Sequence, residues 1–295
     1  VPRTPSGDLL VAGHTIIDTF WDVRALPAPD RTVPVTAVRV ALGGTAANIA
    51  RATASRGVRT GLLSRVGPDF PSEFRRELAR FRLDLRGLTV VPGQRSPTCQ
   101  IVEDGRGHQM TLIDQGAEAD ASAAPVPADL VRAYPWTHIT TGDPVFQLRL
   151  AAAVRAAGGR VAADPAQEIH YRWSPRPLAR LLAASELFIG NESEVRAATE
   201  KLALGAAERL TRLVPLVVVT RGRRGARAYS REGRTEVPGR TPRRIRQVTG
   251  AGDTFRGGFY AAFLRGAPLE EALRDGVAAA TRWIETGTYP AGPTR

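Results

Sequence analysis

Lysine is almost missing from this chain of 295 residues: of its 41 basic side chains, Lys201 alone is a lysine and the rest are arginines. A glycine-rich phosphate loop ending in Gly-Lys-Ser/Thr is therefore excluded. So is a protein-kinase strand lysine, because Lys201 has no Val-Ala-Ile-Lys setting. Cysteine is as scarce. Cys99 permits no internal disulfide and no cysteine-based metal cluster, and it reads as a small buried hydrophobe. The four histidines, at 14, 108, 138 and 170, are too scattered for structural zinc. No run of 18 apolar residues exists to cross a membrane, and the first 30 residues lack a signal-like segment. A cytoplasmic enzyme is the expectation.

The formal charge is +12, with arginines gathered around 75–86 and 221–246. Such an excess suits a phosphate-binding surface. Yet aromatics are only 6% and do not alternate with the arginines, and no zinc-finger or RNP-like pattern occurs, which argues against a nucleic-acid partner. A basic rim around a pocket for an anionic substrate remains compatible with the composition.

Short apolar runs alternating with helical segments predict an α/β fold. Strands are expected at Leu9–Ala12, 59–64, 136–140, 160–163, 186–189 and 214–220. Helices are expected at 45–56, 71–80, 144–157, 175–184, 192–210, 252–265 and 268–284. Shorter strands are expected at 85–91, 226–229, 233–237 and 244–248. A central, mostly parallel sheet covered by helices follows. Residues 19–42, broken by Pro27, Pro29 and Pro34, and a hairpin at 98–113 do not fit βαβ units; they predict a small second sheet, a lid.

The sharpest local feature is Val248-Thr249-Gly250-Ala251-Gly252-Asp253-Thr254, between an expected strand and a helix. Small residues let backbone amides approach an anion, and the helix adds its positive end. Asp253 is then suited to take a proton from a hydroxyl. It also reads as a plain helix cap after a glycine turn, and the residues alone leave both readings open.

This turn resembles a signature of the PfkB, or ribokinase-like, carbohydrate kinases. Gly43-Gly44-Thr45-Ala46-Ala47-Asn48 is similar to that family's other signature, and Gly13–Asp18 to its first sugar-binding loop. Asn191-Glu192-Ser193-Glu194 matches its Asn-x-x-Glu element, and Thr220–Gly225 its nucleotide-phosphate loop. The five matches keep family order across nearly the whole chain. They imply one ribokinase-like domain over 1–295, with lid segments inserted at about 19–42 and 98–113.

The resemblance implies an ATP-dependent transfer of the γ-phosphoryl group to a hydroxyl of a sugar or sugar derivative, with a nucleoside as the alternative acceptor. Asp253 would be the base, and Gly250, Ala251 and Gly252 the anion hole. Asp18, Gly43, Gly44 and Asn48 would hold the acceptor. Thr220, Gly222 and Gly225 would meet the nucleotide, and Asn191 and Glu194 would hold Mg2+ through its waters. Arg256 stands where many relatives carry a small or neutral residue, facing solvent or the phosphates. Gln247 stands where many carry an aspartate, which argues against a monovalent cation. Asp164-Pro165 is similar to an Asp-Pro-Asn-x-Arg region of fructokinase-like members, but Ala166 and Glu168 replace the Asn and Arg, which speaks against an acid substrate. Thr141–Pro144 resembles a segment of archaeal-type nucleoside kinases. A homodimer through the lid is a further expectation. From outside this enzyme class, a nucleic-acid binding protein and a non-catalytic sugar-binding protein were weighed; an intact Gly250–Asp253 turn argues against the second.

Overall fold

The computed structural model describes residues 7–106 and 108–290. In chain order the elements are β1 (Leu9–Ala12), β2 (Ile16–Val23), β3 (Val35–Gly43), α1 (Thr45–Ala54), β4 (Thr60–Val66), α2 (Ser72–Arg80) and β5 (Asp84–Val90). Next come β6 (Thr98–Glu103), β7 (Gln109–Asp114), α3 (Ala128–Arg132), β8 (Trp136–Ile139), α4 (Pro144–Ala156), β9 (Arg160–Ala163) and α5 (Pro175–Ala183). The chain then runs through β10 (Leu187–Asn191), α6 (Glu192–Lys201), β11 (Leu216–Thr220), β12 (Ala226–Ser230), β13 (Gly233–Val237), α7 (Ala251–Phe263) and α8 (Leu269–Thr286).

Nine strands form the main sheet in the order β13-β12-β11-β10-β9-β8-β1-β4-β5. From β11 to β5 every neighbouring pair is parallel; β12 and β13 add an antiparallel edge. Central strands such as Leu9-Leu10-Val11-Ala12 are buried on both faces, which is why they read as unbroken apolar runs. Their side chains divide by alternation. Leu9, Val11 and Leu62 face the core under α1, α2, α7 and α8, while Leu10, Ala12 and Leu63 face the core under α3 to α6. Helix α7 lies tightly between α1 and α8. A Cβ on Gly257 would fall 2.6 Å from the backbone carbon of Ala52, so glycine lets α1 approach the helix that carries Asp253.

The lid is a separate sheet in the order β3-β2-β6-β7, with its own small core of Ile16, Phe20, Cys99 and Ile101. The expected lid segments are present, although β2 begins earlier, at Ile16; Gly107, within the expected hairpin, lies outside the described residues. One expectation is corrected. Residues 244–248 form no strand: the amides of Arg246 and Gln247 both reach the Ile284 carbonyl, at 2.8 and 3.2 Å, so the segment hangs on the end of α8. The helices expected over 192–210 are an α-helix that stops at Lys201, where Ala203 and Gly205 take positive φ, and a 3-10 turn at Ala207–Arg212.

Candidate active site

From β1 the chain passes to β4 and β5 on one side and returns to β8 on the other. The carboxyl end of β1 is thus a topological switch point, where open α/β sheets form their crevice. The neighbouring strands deliver their next residues to the same edge. Asp164 follows β9, Asn191 ends β10 and Thr220 ends β11, with Asn191 and Thr220 in direct register.

The turn before α7 is built as its glycines predict. Gly250 is left-handed at φ 86° and caps the helix, and Asp253 lies in the first helical turn. The Ala251 amide donates to the Val248 carbonyl at 3.1 Å, so the amide expected in the anion hole is turned inward. The amides of Gly250 and Gly252 have no hydrogen-bond partner among the described residues. Burial pushes the Asp253 carboxyl up to about 7, against the Arg256 guanidinium and a hydrogen bond from Asn48, which hold it down; Asp164 and Glu194 raise it further.

Asp18 and Gly43 meet across the β2–β3 pair. A Cβ at 43 would overlap the Asp18 carboxylate at 1.8 Å, so no larger residue fits while Asp18 keeps this rotamer. Gly44 (φ 94°) brings the chain over the His14 carbonyl and starts α1. Asn48 lies in the first turn of α1, and its Nδ2 donates to Asp253 Oδ2 at 2.9 Å. The amide expected on the acceptor thus bonds the expected base. Burial lifts the Asp18 carboxyl to about 7, opposed by Arg51 and Arg39, while Asp253 adds to the rise. Asp18, Phe20, Arg39, Asn48, Gly250 and Trp283 line a cleft of about 480 Å³. Beside it, burial pushes the Cys99 thiol up to about 12, which makes it a packing residue and no nucleophile.

On the nucleotide side, Asn191 and Glu194 bond each other. The Asn191 side chain accepts from the Glu194 amide at 2.9 Å, and Glu194 Oε2 accepts from the Asn191 amide at 2.7 Å, a capping box. One oxygen of each group is spent on the backbone, which suits contact with magnesium through water rather than direct ligation. Among the described residues no group of three or more His, Cys, Asp or Glu could hold a metal by itself. Gly222 (φ 54°) is open to solvent. Gly225, expected under phosphates, is required by its own chain, since a Cβ there would fall 2.1 Å from the Val237 carbonyl. Arg221 pairs with Glu192 and Glu236, and Arg224 with Glu192.

Arg256 does not face solvent. It is buried and forks onto Asp164, with Nη2 2.8 Å from Oδ1 and Nε on Oδ2, while Nη1 donates to the Gly252 carbonyl at 3.0 Å. His138 lies between Asp164 (3.2 Å) and the Tyr260 hydroxyl (2.7 Å). In the sequence Asp164 is marked only by the Pro that follows it, and nothing there joins it to Arg256. Glu168, which stands where the fructokinase-like segment has an Arg, is buried and accepts from the Gly142 amide at 2.6 Å and from Gln115 at 3.0 Å.

The profile of the pfkB family carbohydrate kinases matches residues 6–289. A nucleoside kinase of Methanothermobacter thermautotrophicus is 33% identical over 280 residues, covering 94% of this chain and 89% of its own. A cytidine kinase of Thermococcus kodakarensis is 32% identical, over 92% of this chain and 93% of its own. The crystal structure of Methanocaldococcus jannaschii nucleoside kinase superposes with a TM-score of 0.88 at 27% identity, over 99% of this chain and 96% of that one.

Proposed function

The chain belongs to the pfkB family of carbohydrate kinases, and within that family we propose that it transfers the γ-phosphoryl group of ATP to a hydroxyl of a nucleoside. Family membership carries the coarser statement, an ATP-dependent phosphotransferase acting on a small sugar or nucleoside. The residue reading put a simple sugar first. The nucleoside and cytidine kinases at 33% and 32% identity turn the preference to the nucleoside. The observation that carries the reading is the cleft of about 480 Å³, which has Asp18 and Asn48 for hydroxyls and Trp283 for a flat ring.

In this account Asp18 accepts hydrogens from the sugar hydroxyls, and Gly43 lets them approach the backbone. Asp253, ionised, takes the proton of the attacking hydroxyl as the bond to phosphorus forms. The amides of Gly250 and Gly252, at the positive end of α7, stabilise charge on the phosphoryl oxygens. Thr220 and Gly222 flank the nucleotide. Asn191 and Glu194 would hold magnesium through its waters, and the ion would neutralise the phosphates. Closure of the lid over the acceptor excludes water.

A coupled assay of ADP release across cytidine, uridine, adenosine, inosine, ribose and fructose tests the acceptor class. At least one nucleoside should exceed free ribose in kcat/KM by about tenfold or more, as loss of a whole contacted ring would cost. Equal or better use of a bare sugar would return the reading to a sugar kinase.

A further inference from the structure

Arg51, on the last turn of α1, is buried beneath the acceptor cleft and belongs to no motif. A cation in a last turn complements the helix field, and that alone would explain an exposed arginine. This one is spent otherwise. Its Nη2 donates to Asn48 Oδ1 at 2.6 Å and to the Leu42 carbonyl at 2.8 Å, and its Nη1 pairs with Glu77 of α2. Tyr289 stacks its ring 5.2 Å from the guanidinium carbon. Leu42 belongs to lid strand β3, next to Ala41, the cross-strand partner of Asp18.

The chemistry of these groups gives the bonds a direction. A guanidinium only donates, so the Asn48 oxygen must face Arg51, and the Asn48 NH2 is left to face Asp253. An amide flip, ordinarily ambiguous, is resolved by this partner. A donating amide favours the ionised carboxylate; a flipped amide would set its oxygen against it. The same guanidinium holds a backbone carbonyl of the lid.

We propose that Arg51 is a positioning residue that ties the seating of lid strand β3 to the orientation of the base, acting on Asp253 through Asn48. This rests on the reading of Asp253 as the base. The tie itself is a matter of structure and is measurable without turnover.

Two measurements on Arg51→Met, Asn48→Ala and the double variant test it. Hydrogen exchange followed by mass spectrometry should show Arg51→Met losing protection at both 37–43 and 250–254. Asn48→Ala should lose it at 250–254 only. In kinetics, Arg51→Met should lower kcat by about tenfold or more, in the range that misplacement of a reacting group costs. Adding it to Asn48→Ala should change kcat less than about twofold, because both act on one group. Arg51→Lys, which keeps charge and one donor, should recover part of the loss. Should Arg51→Met fail to fold, Glu77→Ala, which removes the far anchor of the fork, should show the same paired loss of protection in weaker form. Loosening of the lid without the base turn, or kcat losses that multiply, would overturn the proposal. A wild-type protein without acceptor-dependent ADP release would instead sink the kinase reading, and the exchange pattern would still decide the tie.

Discussion

Arg256 and Asp164, 92 residues apart in sequence, form a buried bidentate pair with Nη2 to Oδ1 at 2.8 Å, and the same guanidinium holds the Gly252 carbonyl at 3.0 Å. The pair fastens the first turn of α7, which carries Asp253, to the end of β9. A paired charge is retained in the floor of the site, and the sequence motif shows only half of it.

Removing one partner leaves the other buried and unpaired. Arg256→Met should lower unfolding stability by about 3–5 kcal/mol in urea titration, and Arg256→Met with Asp164→Leu should recover most of it. A loss below about 1 kcal/mol would mean that the pair is solvated or relaxes freely.

Activity and stability should respond to pH in opposite senses. If Asp253 acts as the proposed base it must be ionised, and burial pushes its carboxyl up to about 7, so kcat/KM should fall as pH drops below about 7 and level off above it. The buried Glu118 carboxyl is likewise pushed up to about 8, while an unfolded chain titrates it near 4.5. Between those values the folded state holds the extra proton, so this group's share of stability is present at low pH and is lost as pH rises toward 8. Thermal unfolding of wild type and Glu118→Gln at pH 5.5 and 8.5 checks the sign. The variant should lose less stability between the two; an equal or larger loss would contradict it.

How much of this could be read from the sequence differs by residue. Gly250, Asp253, Gly43 and Asn48 lie in contiguous signatures whose spacing carries their geometry; Gly250, Gly43 and Asn48 line one cleft, and Asp253 is hydrogen-bonded to Asn48. The βα alternation likewise announced the main sheet, because parallel strands must be apolar on both faces. Arg51, Glu77 and the Arg256–Asp164 pair were not legible. Their partners come from separate elements, and a helical arginine looks the same whether it meets water or a carboxylate. Arg244–Val248 reads as a short strand before a glycine turn, yet no sheet edge receives it, and α8 supplies its hydrogen bonds instead.

Monovalent cations should matter little. Gln247 offers no full charge, and the indole N–H of Trp283 already donates to the Thr249 carbonyl at 2.8 Å, beneath Gly250. Turnover in sodium, potassium and tetramethylammonium buffers should agree within about twofold, less than a single lost charge-assisted contact would cost. A large rise specific to potassium would refute this.

The lid offers an apolar surface for a second copy of the chain. Val38, Val40 and Leu112 are 54%, 55% and 60% exposed, an arrangement that invites pairing between lids. Sedimentation should give a dimer, and Val38→Asp with Leu112→Asp a monomer. A monomeric wild type at micromolar concentration would remove the lid interface.

The central claim is that Asp253 takes the acceptor's proton. Comparing Asp253→Asn with wild type in acceptor-dependent ADP release, with acceptor affinity measured by calorimetry on the same samples, tests it most directly. The account predicts a fall in kcat of about 10²–10⁴ with affinity nearly unchanged. Turnover retained by the variant would contradict it.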